Sequence, residues 1–197
     1  MALAALAILT SYVAVASVRP LLVTRWRAGT WAVRATPGAG KLIALLFPAA
    51  NAAVCVGPVL DLTKHLARIG SLDHPVPRVV GIVVGVAGLP LIVVAQETMG
   101  ASWRIGVDSR ERTELVTWGM FRVSRNPIYA GMVAMAVGVA LMVPNPISMA
   151  TVVLYVLAVE LQVRAVEEPY LRRIHGTSFA AWAATSGRFV PGVGKSG

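Results

Sequence analysis

The sequence predicts an all-α, polytopic membrane protein with about five transmembrane helices, and three observations lead there. Of its 197 residues, 56% are apolar, above the roughly 45–50% usual for a soluble globular chain. These residues fall in long blocks, not on one face of amphipathic helices, and the blocks approach the roughly 20 residues that cross a bilayer. The lysines and arginines are confined to the stretches between the blocks. The formal charge of +9 is therefore better explained by topology than by nucleic acid, since no basic stripe with interleaved aromatics is present. We treat residues 1–197 as one domain, with the N-terminal spans in 1–97 and a more polar half in 98–197.

The first block, 2–18, contains Ala14-Val15-Ala16, which looks like a signal-peptidase site. No positive charge precedes it, as a signal peptide requires, so it is expected to be a first span with its N-terminus outside. The second block, 42–60, is interrupted by Pro48 and Pro58 with Asn51 between them, and the third, 79–95, by Pro90. Such breaks are tolerated where neighbouring helices satisfy the freed carbonyls. Gly81, Gly85 and Gly88 in the third block predict a close approach of another helix. Blocks 128–143 and 147–159 are joined only by Pro144-Asn145-Pro146, which predicts a tight helical hairpin. At 1.5 Å per residue the first hairpin arm reaches about 24 Å, short of a hydrocarbon core of about 30 Å. The arm must extend past those limits or sit partly within protein. Residues 175–192 predict a short C-terminal helix on the cytoplasmic side, and 192–197 a free tail.

Charge counting orients the chain. Segments 19–41, 98–126 and 164–197 carry five Lys or Arg each, whereas 61–78 carries three and the Pro-Asn-Pro turn none. Fifteen against three places the N-terminus outside, and the long third loop and the C-terminus in the cytoplasm.

Three polar constellations stand against this apolar background. In SRNPIYAGM, residues 124–132, Asn126 and Pro127 form a helix start, and a helix N-terminus with its free N–H groups suits an anion. Arg125 adds a bidentate donor, Tyr129 a ring and a hydroxyl, and Gly131 a bare patch of backbone. The structural alternative is an interfacial Arg and Tyr that anchor the helix end. In 159–176, Glu160, Arg164, Glu167 and Glu168 follow helical spacing, so Arg164 is placed to pair with Glu160 or Glu168 at i, i+4. Glu160 ends an apolar span, where ionisable residues are usually functional or internally paired. In GASWRIGVD, 100–108, Trp103 and Arg104 read equally as an interfacial anchor or a substrate mouth. Cys55 is single, His65, His74 and His175 lack ligand spacing, and no metal is predicted. No phosphate-binding loop, dinucleotide fingerprint or Ser-His-Asp arrangement is present.

The order of these motifs resembles the isoprenylcysteine carboxyl methyltransferase and phospholipid methyltransferase family. The elements are 103–108, Leu115-Val116, Gly119 with Phe121-Arg122, 125–131, Glu167-Glu168 with Leu171, Gly176, and Arg188-Phe189-Val190-Pro191. The resemblance covers 100–191 and makes 98–197 the cofactor-binding, catalytic half. It implies a polytopic enzyme that transfers a methyl group from S-adenosylmethionine to a lipophilic acceptor, releasing S-adenosylhomocysteine. It also implies a cofactor pocket formed by Arg125, Asn126, Pro127, Tyr129, Gly131, Glu167, Glu168 and Leu171. Asn126 stands where many members have His, so a titrating base is not available there. Trp182 stands where Tyr is common and, with Phe179, is a candidate aromatic wall. Arg104 and Glu160 are candidate catalytic residues that handle the acceptor's polar head. The expected partners are a lipid-like substrate and membrane lipids, not nucleic acid. Two other readings are open to the sequence: a nicotinamide-dependent reductase related to the sterol reductases, and a non-enzymatic transporter or scaffold.

Overall fold

The computed structural model describes residues 1–28, 40–64, 66–103 and 114–196. Arg104 therefore lies outside the described residues, as does His65. The described residues are helical apart from turns and one isolated parallel bridge, Ser124 to Gly187.

The first span comprises α1 (Ala2–Tyr12), a π-helical stretch (Val13–Val18) and α2 (Arg19–Ala28), which together give an apolar helix over Ala2–Trp26. The second comprises α3 (Gly40–Ala53), carrying Pro48, and α4 (Val56–Leu62). Next come α5 (Pro75–Met99) and α6 (Pro127–Met142). The chain then runs through α7 (Pro146–Leu161), a second π stretch (Gln162–Glu167) and α8 (Glu168–Thr185). All five apolar blocks are helices. Four are long and apolar enough to cross a membrane, and α6, at 16 residues, is shorter.

The short arm is shielded by protein. Gly88 of α5 and Gly131 of α6 are so close that a Cβ on Gly88 would lie 2.5 Å from the Gly131 carbonyl oxygen. A Cβ on Gly138 would lie 2.5 Å from the Gly85 nitrogen. The predicted glycine approach is thus the seam between α5 and α6, and most of one face of α6 is buried against it. Such contact replaces the hydrophobic drive that is lost in lipid with backbone packing.

The Pro144-Asn145-Pro146 turn is tight, as expected. Asn145, fully buried, accepts from the Ser148 N–H at 2.8 Å to cap α7 and donates to the Gly57 carbonyl of α4. At the same end Arg68 forks onto Asp61 and also reaches Asp73, which Arg78 contacts from the other side. The hydrogen bond from Arg78, with that of Arg68, holds the Asp73 carboxyl below the usual carboxylate range.

The opposite end holds the termini of α5, α6 and the long last helix. Gln96 of α5 donates to the Ala16 carbonyl at 2.8 Å, inside the π stretch of the first span, and Arg19 pairs with Glu97. The hairpin arm continues past residue 161 as far as Gly176, where φ of 51° and ψ of −120° break the helix, so residues 177–185 form the short C-terminal helix that was expected. The tail expected to be free is pinned. The Ser196 N–H donates to the Ala183 carbonyl, and residues 187–189 lie against 123–126.

Candidate active site

The polar junction ahead of α6 is built to receive the tail. Ser124 Oγ donates to the Phe189 carbonyl at 2.8 Å, the Arg125 N–H to the Gly187 carbonyl at 2.8 Å, and Asn126 Nδ2 to the Arg188 carbonyl at 3.0 Å. Asn126 therefore does not cap α6 with its side chain, and the helix start keeps its uncapped N–H groups.

Arg125 is 4% exposed, and all five of its N–H groups have acceptors within the protein. Nε and Nη2 reach Glu168 Oε1 at 3.3 and 3.1 Å; Nη1 reaches the carbonyls of Ala183 and Ser186; Nη2 also reaches that of Gly194. The fork expected to meet a ligand instead ties together the end of α8, the tail and Glu168. The reason is burial: a desolvated guanidinium needs every donor satisfied. Arg188 forks onto the same carboxylate at 2.9 and 3.0 Å, and that bond raises the Arg188 pKa further. Arg125, Glu168 and Arg188 form one ion triad.

Glu167 points elsewhere. Its Oε1 accepts from the Tyr129 hydroxyl and from Gln162 Nε2, the latter at 3.2 Å. Gln162 and Glu167 are five apart, about 140° around an α-helix, and they meet only because residues 162–167 are wound as a π-helix. Tyr129 and Glu167 are half-buried and join the SRNPIYAGM element to the acidic pair. Pro127 is the buried first residue of α6, and Gly131 faces Ile92 and Gly88 of α5. Leu171, on α8, packs against the apolar cluster that includes Phe121 and Phe179. Glu160 pairs with Arg164 on a partly exposed face, so the ladder closes toward Glu160 and Arg164 does not reach Glu168.

The aromatic wall differs from expectation. Phe179 is fully buried in the cluster beneath α8, and Trp182 uses its indole N–H on the Phe121 carbonyl at 2.8 Å. The ring that lies against Tyr129 is Phe47 of α3, edge-on with centroids 5.5 Å apart. Sequence reading missed it, although Pro48 and Asn51 in the same span were a signal. A groove of about 610 Å³ runs along α8, lined by Glu114, Leu115, Thr117, Arg122, His175, Ser178, Trp182 and Thr185. It contains neither Tyr129 nor Glu167, the pair at which the SRNPIYAGM element and the acidic pair meet.

The profile of the phospholipid methyltransferase family matches residues 76–178, a stretch that includes Tyr129, Glu167 and Glu168. Protein-S-isoprenylcysteine O-methyltransferase A of Arabidopsis thaliana is 29% identical over 141 residues, 68% of this chain and 72% of that protein.

Proposed function

Given that the chain belongs to the phospholipid methyltransferase family and is an integral, multi-pass membrane methyltransferase, we propose that it takes its methyl group from S-adenosylmethionine. The acceptor in this reading is a lipophilic carboxylate, amine or thiol, and transfer takes place at the cytoplasmic membrane face. The observation that carries the reading is the Tyr129 to Glu167 hydrogen bond, which makes one centre of two motifs 38 positions apart.

The donor set fits the group. S-adenosylmethionine supplies an electrophilic methyl on a sulfonium, together with a carboxylate, an ammonium and an adenosine. Glu167 offers a half-buried carboxylate to a cationic group, and the ring of Tyr129 offers a face that favours positive charge. The uncapped start of α6 favours a carboxylate. Behind them the Arg125, Glu168 and Arg188 triad fixes the mouth. Arg125 and Glu168 are thus positioning residues in this reading, and Tyr129 and Glu167 are the contacting ones. Methyl transfer is an in-line displacement that needs alignment and exclusion of water more than a titrating base, which suits Asn126 at the mouth. Arg104 and Glu160 are proposed to handle the polar head of the acceptor.

Calorimetric titration of the purified protein with S-adenosylhomocysteine and with reduced nicotinamide dinucleotide phosphate tests this reading. Saturable binding of the first alone is expected, and binding of the second alone, or of neither, overturns it.

A further inference from the structure

A second polar centre lies deeper in the bundle, and neither the motifs nor the proposed donor site accounts for it. Asn51, within the apolar second span, accepts at Oδ1 from the hydroxyls of Tyr12 at 2.8 Å and Tyr155 at 3.1 Å. Its Nδ2 donates to the Phe47 carbonyl at 2.9 Å. Tyr155 is fully buried and Tyr12 is 3% exposed. Polar side chains inside a span are costly, and those that persist usually serve a site. This one joins α1, α3 and α7 at a single amide oxygen, and it carries no formal charge.

What the hub holds is Phe47. The Phe47 ring meets Tyr129 edge-on and Tyr155 at 6.1 Å with a 39° tilt. On the same helix Leu45 and Leu46 are 65% and 48% exposed on the apolar outer surface of the span, while Phe47 is half-buried. Pro48, the next residue, has no N–H for the helix ladder, so α3 lacks a rung beside this ring. Phe47 thus stands between the bilayer-facing surface and the Tyr129 and Glu167 pair. Tyr12, Phe47 and Asn51 all precede the family-matched stretch 76–178.

We propose that Phe47, held by the Tyr12, Asn51 and Tyr155 hub, selects the acceptor by setting the size of the apolar group that passes from the bilayer to Tyr129. The proposal rests on the methyl-transfer reading of Tyr129 and Glu167. Phe47 contacts the acceptor in this scheme, and Asn51 is a positioning residue that acts through it.

The test uses the full chain in membranes, methyl-labelled S-adenosylmethionine and the membrane's own lipids, with labelled products resolved by chain size. Wild type, Phe47→Leu and Phe47→Trp are compared, and S-adenosylhomocysteine affinity is measured for each. Leu is expected to enrich bulkier products and Trp more compact ones, each by about 10-fold in the bulky-to-compact ratio, with unchanged affinity. Asn51→Leu should raise the acceptor KM and shift the products as Phe47→Leu does. Tyr12→Phe, which keeps the Tyr155 bond to Asn51, should retain the wild-type pattern. An identical product pattern in all three Phe47 forms overturns the proposal, as does loss of S-adenosylhomocysteine binding in both variants, which would assign Phe47 to the donor site. A wild type that binds no S-adenosylhomocysteine, or labels no lipid, overturns the methyl-transfer reading instead.

Discussion

Tyr129 and Arg125 are four positions apart and do opposite work. Tyr129 gives its hydroxyl to a half-buried carboxylate, so Tyr129→Phe keeps the ring but leaves Glu167 with only Gln162. A hydrogen bond to a charged group is worth about 1.5–3 kcal/mol, and kcat/KM should fall about 10-fold or more, with Glu167→Gln falling further in the same methyl-transfer assay. Arg125 acts through the fold. Glu168→Gln strips the counter-charge from two arginines, one of them 2% exposed at its side chain. Breaking a buried pair by removing one partner costs about 3–5 kcal/mol. A lowered unfolding temperature in detergent is expected, and Arg125→Lys should not rescue the site, because an ammonium has three donors where five are used.

The elements most responsible for the site are the α5 and α6 seam and the second π stretch. Along the seam, a Cβ on Gly85 would meet the Gly138 Cα at 3.7 Å, ordinary contact, whereas one on Gly138 would fall 2.5 Å from backbone. Gly85→Ala should therefore leave thermal stability near wild type, and Gly138→Ala should lower it clearly. Backbone cannot move aside as a flexible side chain does, and overpacking costs about 1–3 kcal/mol. In the π stretch, one residue more than an α-helical turn requires turns Glu167 toward Tyr129 and Gln162. Deleting Ala165 leaves Gln162 and Glu167 four apart, about 40° around an α-helix, so α-helical winding should return with Glu167 still facing Tyr129. Helix content by circular dichroism and methyl transfer should both be retained, and lost transfer would show that the π turn itself is needed.

At the scale of the whole molecule, one end of the bundle gathers 16–19, 96–97, 123–126 and 162–196, and the other gathers 57–78 and 144–148. Among the described residues the basic excess belongs to the first end, so Lys195→Cys should react with an impermeant thiol reagent only after cells are opened. Ser71→Cys should react in intact cells, both in a Cys55→Ala background. The sequence by itself determined the helical blocks, the Pro-Asn-Pro hairpin and the glycine approach, because hydropathy, proline and glycine act locally, while the family resemblance, not local spacing, joined the Tyr129 element to the acidic pair. Tertiary structure alone decided that Arg125 is a buried lock, that Glu167 and Glu168 face different partners, that the tail is pinned, and that Phe47 supplies the neighbouring ring. Those outcomes depend on a π turn that breaks the 3.6-residue period and on contacts between residues far apart in sequence. Local spacing carries no record of either.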